Sequence, residues 1–95
     1  MSVKVEYSSY NYSVSDTSGE IVAENLNRVD GGIQNIGSVD ITLKEAGTAV
    51  FGEGFLLKPG ETFAFNRNGN YTQQAFEAIT ESASGEVYVF QGAEV

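Results

Sequence analysis

The stretch Gly54–Phe65, GFLLKPGETFAF, reads as strand, turn, strand. Phe55 and Leu57 fall on one face of an extended chain, and Phe63 and Phe65 do the same beyond the turn, so all four are expected to be buried. The chain's single proline, Pro59, stands between the two pairs beside Gly60. Pro59 fixes φ near the value of the second position of a β-turn, and Gly60 tolerates the positive φ that a type II turn requires at the third. Such a turn twists against its flanking strands, and tight hairpins favour the mirror-image types. The element is therefore predicted to be a corner that passes the chain between two sheets, with binding expected on the less regular chain around it.

Working outward, Val39, Ile41 and Leu43 alternate with Asp40, Thr42 and Lys44, which predicts a strand with one core face and one wet face. The glycine-bounded run Thr48–Phe51 is expected to pair beside it. Further upstream, Val3, Val5 and Tyr7 alternate with polar residues, predicting a first strand. The following SSYNYSVSDTSG fits either a second strand or an extended arm within residues 1–19 that orders against a neighbour. Glu20–Leu26 fits a strand or two turns of helix. Downstream, Asn68-Gly69 signals a turn, and Tyr71, Ala75, Ile79 and Ala83 fall at helical spacing although Ala75–Thr80 also fits a strand. Glu86–Gln91, EVYVFQ, is apolar on both faces and is expected to be central in a sheet or to lie at an interface. The sum is about seven or eight short strands and at most one short helix, which predicts an all-β fold, an antiparallel β-sandwich or a jelly-roll-like barrel.

The chain of 95 residues is read as one domain. A domain of this size buries only roughly 60 to 70% of the surface its unfolded chain exposes, so a partner is expected to contribute stability. There is no cysteine and no histidine. Disulfides, thiolate metal sites, the usual zinc ligand and Ser-His or Cys-His nucleophiles are thereby excluded. Five basic residues against thirteen acidic ones give a net charge of −8. Nucleic acid and anionic membrane surfaces are expected to repel such a protein, and neither is predicted as a partner. No apolar run approaches the length of a membrane span, and the N-terminus lacks the uncharged core of a signal peptide.

The succession Gln34-Asn35-Ile36-Gly37, Val39–Leu43, Gly54–Glu61, Phe65, Ala78-Ile79 and Ser84–Val89 resembles small β-sandwich proteins of bacteriophage structural cassettes. These read as Asn-x-Gly, a strand, L-x-P-G-E, an aromatic strand, an Ala-Ile step and a closing S-G-x-V-x-V strand. The resemblance covers residues 33–90, leaves the first 30 residues unmatched, and favours a strand over a helix for residues 71–80. It implies a non-enzymatic virion structural protein, made in the host cytoplasm, that decorates or stabilises the outer surface of a capsid by binding the major capsid protein. It further implies a homo-oligomer, trimeric or dependent on the lattice. The L-x-P-G-E turn also resembles that of cupin barrels, but their metal ligands are chiefly histidines, and this chain has none.

The residues expected to contact a partner are Tyr7, Tyr10, Tyr12, Val14 and Tyr71, because tyrosines alternating in a polar setting suit half-buried contact surfaces. The alternative function is a tail- or fibre-associated carbohydrate-binding module stacking sugars on Tyr10, Tyr12 and Tyr71. Asp16, Ser18, Glu20 and Asp30 provide oxygens at spacings a calcium ion could use, though not those of an EF-hand. Two Asn-x-Ser/Thr sequons, at Asn11 and Asn70, have no secretion signal to make them glycosylation sites. No catalytic residues, cofactor or metal are predicted.

Overall fold

The computed structural model describes residues 4–66 and 72–95. Its elements are β1 (Val5–Val14), β2 (Gly19–Val22), β3 (Arg28–Asn35), β4 (Ile41–Glu45), β5 (Phe55–Leu57), β6 (Thr62–Asn66), β7 (Phe76–Thr80) and β8 (Gly85–Glu94). They form two four-stranded sheets, in the orders β1-β8-β3-β6 and β2-β7-β4-β5, and every pairing is antiparallel. Only the β4–β5 connection stays within one sheet, and all the others cross. This is a jelly-roll sandwich, as the spacing of strands and turns predicts. The segments left open in the sequence resolve as strands: residues 5–14 are one continuous edge strand, Glu20–Val22 belongs to β2, and Phe76–Thr80 is β7. The turn expected at Asn68-Gly69 lies outside the described residues.

The corner at Pro59 forms as its chemistry requires. Gly60 has φ of +86°, and the Glu61 amide donates to the Lys58 carbonyl at 2.9 Å, which closes a type II turn. Because the turn splays its flanking strands, β5 ends in one sheet and β6 begins in the other. Asn35, fully buried at the end of β3, holds this corner. Its side-chain amide donates to the carbonyls of Val39 (2.8 Å) and Leu57 (2.9 Å), and its Oδ1 accepts from the Gly37 amide. Its main chain accepts from Gly60 and donates to Glu61.

The core lies between the sheets and includes Ile33, Val87 and Val89 from one, and Ile41, Leu43 and Ala78 from the other. Phe65 and Phe76 stack across the gap with centroids 5.8 Å apart and planes 7° from parallel. Phe63 touches both rings. Phe55 departs from expectation: it is 47% exposed, because β5 is a three-residue edge strand and the ring leans on Phe63 at the rim of the sandwich, 4.7 Å between centroids. Thr48–Phe51 also departs, forming a loop with only an isolated bridge between Val50 and Glu53. This loop covers the outer face of β4, which explains why Thr42 is buried rather than wet; its hydroxyl accepts from the Gly52 amide.

At the other end of β3, Arg28 is fully buried. Its guanidinium donates to the carbonyls of Ala23 (2.7 Å), Gln74 (3.0 Å) and Thr72 (3.3 Å), and its Nε to the Gln91 side chain. It also lies over the Phe65 ring, 5.4 Å from the centroid. Asn35→Ala is expected to destabilise the protein by about 3 kcal/mol, since two buried carbonyls lose their donors at about 1–3 kcal/mol each after partial relaxation. Arg28→Met is expected to cost as much or more, since three carbonyls and the Gln91 side chain lose their donor. Urea unfolding of both variants checks the pair; a loss below about 1 kcal/mol for either would show that its end of β3 is held by something else.

Candidate functional site

β1 is the outer strand of its sheet and pairs on one side only, from Val5 opposite Glu94 to Val14 opposite Gly85. Alternate residues of an antiparallel strand turn their N–H and C=O groups away from the neighbour, so a run of unpaired main-chain groups lines this edge. The other edges differ. β5 has three residues, β6 has five, and β2 has four with a register irregularity between Glu20 and Val22. None of the three offers a regular ladder of comparable length to an incoming strand.

The alternation of β1 divides the tyrosines expected to act together. Tyr10, Tyr12 and Val14 stand opposite Val89, Val87 and Gly85 and so face inward, whereas Tyr7 stands opposite Gly92 and faces outward. Val14 is buried in the core cluster, out of reach of a partner. Tyr10 is half-buried against the same cluster, and its hydroxyl donates to the Ile21 carbonyl at 2.6 Å, tying β1 to β2 of the other sheet. Tyr12 is 46% exposed and meets Tyr10 edge-on, 6.3 Å between centroids. Tyr7 is 69% exposed and donates to Asp30 at 3.3 Å. Tyr71 lies outside the described residues. Contact with a partner is thus left to Tyr7 and Tyr12, on opposite sides of one free edge.

The calcium-spaced oxygens do not converge. The Ser18 hydroxyl donates to Glu77 and accepts from the Ala49 amide, docking the 46–51 loop, while Asp30 sits on β3 of the other sheet. Among the described residues no three acidic side chains are grouped to hold a metal ion. A shallow, open depression of about 250 Å³ is lined by Val39, Asp40, Phe51, Glu81, Ser82 and Ala83. No helix among the described residues is long and apolar enough to cross a membrane. The exposed cations of the described residues, Lys4, Lys44 and Lys58, are dispersed over both sheets, and Arg28, a fourth basic residue, is interior. The surface is accordingly acidic. A lone arginine between Asn27 and Val29 carries no sequence signal of burial, so Arg28 is a feature that sequence reasoning misses; Tyr88 and Phe90, on the outward side of β8, are the second apolar face that EVYVFQ shows in the sequence.

No protein-family model matches the chain, and no curated protein does. Solved structures that share its fold include two of note. One, described as "Crystal structure of PirA", aligns with a TM-score of 0.56 at 18% identity, covering 87% of this chain and 92% of that one. The other, described as "Bacillus endospore appendages form a novel family of disulfide-linked pili", aligns with a TM-score of 0.64 at 14% identity, covering 98% of this chain and 88% of that one.

Burial raises the Tyr10 pKa above its ordinary value of 10.0, with Arg28 opposing the rise and Tyr12 and Glu20 adding to it. The unfolded chain therefore releases this proton first, and the stability that neutral Tyr10 contributes is complete below about pH 10 and lost as pH climbs through the folded-state value. Thermal melts from pH 8 upward are expected to fall more steeply for the wild type than for Tyr10→Phe. Parallel slopes would show that the hydroxyl ionises as freely in the folded protein as in the unfolded one.

Proposed function

We propose that this protein is a non-enzymatic structural subunit that joins a larger surface assembly by strand addition at β1, the added strand coming from a second copy of the chain. The observation that carries the reading is the ten-residue length of β1, unbroken by proline or bulge, charged only at Glu6 near its start, and paired on one side only. Sheet edges are ordinarily protected by such devices, and an edge without them is a template for another strand. The likeness of fold to a protein described as forming pili supports an assembling role. That protein's pili are disulfide-linked, and this chain has no cysteine, so its own contacts would rest on hydrogen bonds and burial. A capsid surface as acceptor, the partner implied by the sequence resemblance, would use the same edge and agrees with the acidic exterior.

Ser8 is exposed on the inward-facing row of β1, where a lysine is a typical edge-protecting residue. Sedimentation of the wild type over a range of concentrations is expected to reveal a concentration-dependent species larger than the monomer. Ser8→Lys is expected to remain monomeric with an unchanged melting temperature. A wild type that stays monomeric alone yet binds phage particles would transfer the edge to the capsid reading. Assembly of Ser8→Lys equal to wild type, or a wild type that neither assembles nor binds particles, would overturn strand addition.

A further inference from the structure

The outward face of the β1-β8-β3-β6 sheet is built in rows that follow from its register. Tyr7, Gly92 and Asp30 stand opposite one another in the first, Ser9, Phe90, Gly32 and Ala64 in the second, and Asn11, Tyr88, Gln34 and Thr62 in the third. These side chains share one side of the sheet, and the alternate residues Ile33, Val87 and Val89 are fully buried on the other. The two glycines determine how the aromatic rings lie. A Cβ at Gly32 would come within 2.5 Å of the Phe90 ring, and one at Gly92 within 2.6 Å of the Tyr7 ring. Each ring therefore rests directly over main chain instead of standing upright between side chains. Tyr88 continues the surface, 5.9 Å from Phe90 between centroids and inclined by 30°.

Flat rings bordered by hydroxyl and amide groups match the two needs of a sugar, an apolar face for its C–H groups and hydrogen-bonding partners for its hydroxyls. Asp30 supplies a second, independent mark of a ligand. Its Oδ1 is shielded from solvent and has no hydrogen-bond partner among the described residues, while Oδ2 accepts the 3.3 Å bond from Tyr7. An oriented carboxylate oxygen without a donor is costly unless something donates to it. Tyr7, largely exposed and held by that single bond, can turn aside to admit a hydroxyl. A second copy of this acidic chain would bring like charge against Asp30, whereas an uncharged polyhydroxyl ligand brings donors.

We propose that this outward face binds a neutral polysaccharide, with sugar rings stacked on Tyr88 and Phe90, a hydroxyl donating to Asp30, and Tyr7 closing over the bound chain. The site differs from the Tyr10, Tyr12 and Tyr71 set expected from sequence, and it does not depend on strand addition at β1. The test is native affinity electrophoresis through gels containing dextran, galactomannan, a soluble β-glucan or xyloglucan, run on the Ser8→Lys protein so that assembly does not alter mobility. Retardation in at least one gel is expected, with affinity roughly tenfold weaker for Tyr88→Ala and severalfold weaker for Asp30→Asn, a variant that preserves shape. Circular dichroism melts confirm that both variants fold. Tyr12→Ala, on the opposite side of the edge, is expected to bind as its parent does. No retardation in any of the four gels, retardation insensitive to Tyr88→Ala and Asp30→Asn, or dependence on Tyr12 instead would each overturn the proposal.

Discussion

The fold depends on β3 being held at both ends by side chains that bond main chain. Arg28 gathers the carbonyls of Ala23, Thr72 and Gln74, and Asn35 gathers those of Val39 and Leu57. The segments they hold are crossings between sheets, where a jelly roll has no ladder to satisfy its main chain. A small sandwich without disulfides needs some other fastening at its open ends. Here one cation and one amide provide it, because a guanidinium and a carboxamide each offer several donors in fixed directions. Arg28 has a further effect, since its plane over Phe65 connects this end of β3 to the stack on Phe76 that joins the two sheets.

The Pro59-Gly60 corner and the Asn35 clamp are two halves of one solution. The turn fixes the direction in which the chain leaves β5, and Asn35 sets where it meets β3, through both its side chain and its main chain. Phe63 and Phe65 are thereby delivered to the inner face of β6, opposite Ile33 and Gly31. The absence of a side chain at Gly31 admits Phe65, whose ring passes close to that position. Burial of the aromatic cluster is thus a consequence of correct crossing, and the hydrophobic energy that favours folding also favours one route between the sheets.

The sequence made the corner, the all-β class and the central strand β8 readable, because each rests on local chemistry: a proline-glycine turn, strict alternation and an apolar segment on both faces. What it concealed was set by position in the sheet. Phe55 has the alternation of a core residue and lies on the inward side, but nothing in its spacing says that its strand is the last in the row. Thr42 looks wet by its polarity and is buried because a loop distant in register folds over it. The tyrosines of β1 looked like one surface because they are close in sequence, whereas their odd and even positions send Tyr7 and Tyr12 to opposite faces. The second apolar face of β8 is legible in EVYVFQ, but the flat lie of its rings is not: it takes glycines on β3 and β8, far apart in the chain, to lay Phe90 and Tyr7 flat.

The edge and the face are geometrically independent, and this decides how the two could work in one molecule. Hydrogen bonds to an added strand lie in the plane of the sheet, whereas Tyr88, Phe90 and Tyr7 project from it. Strand addition at β1 would extend the sheet without covering the platform on β8 and β3. Ser9 and Asn11, which border the rings on the β1 side, would then become the seam between neighbouring platforms. Two sheets joined at such a seam would present two sets of aromatic rings at a fixed separation, and two sites so held bind a polymer more tightly than either one alone. An unprotected edge is ordinarily a hazard to a soluble protein. Beside a flat aromatic face, the same edge would become the means by which a proposed binding site is doubled.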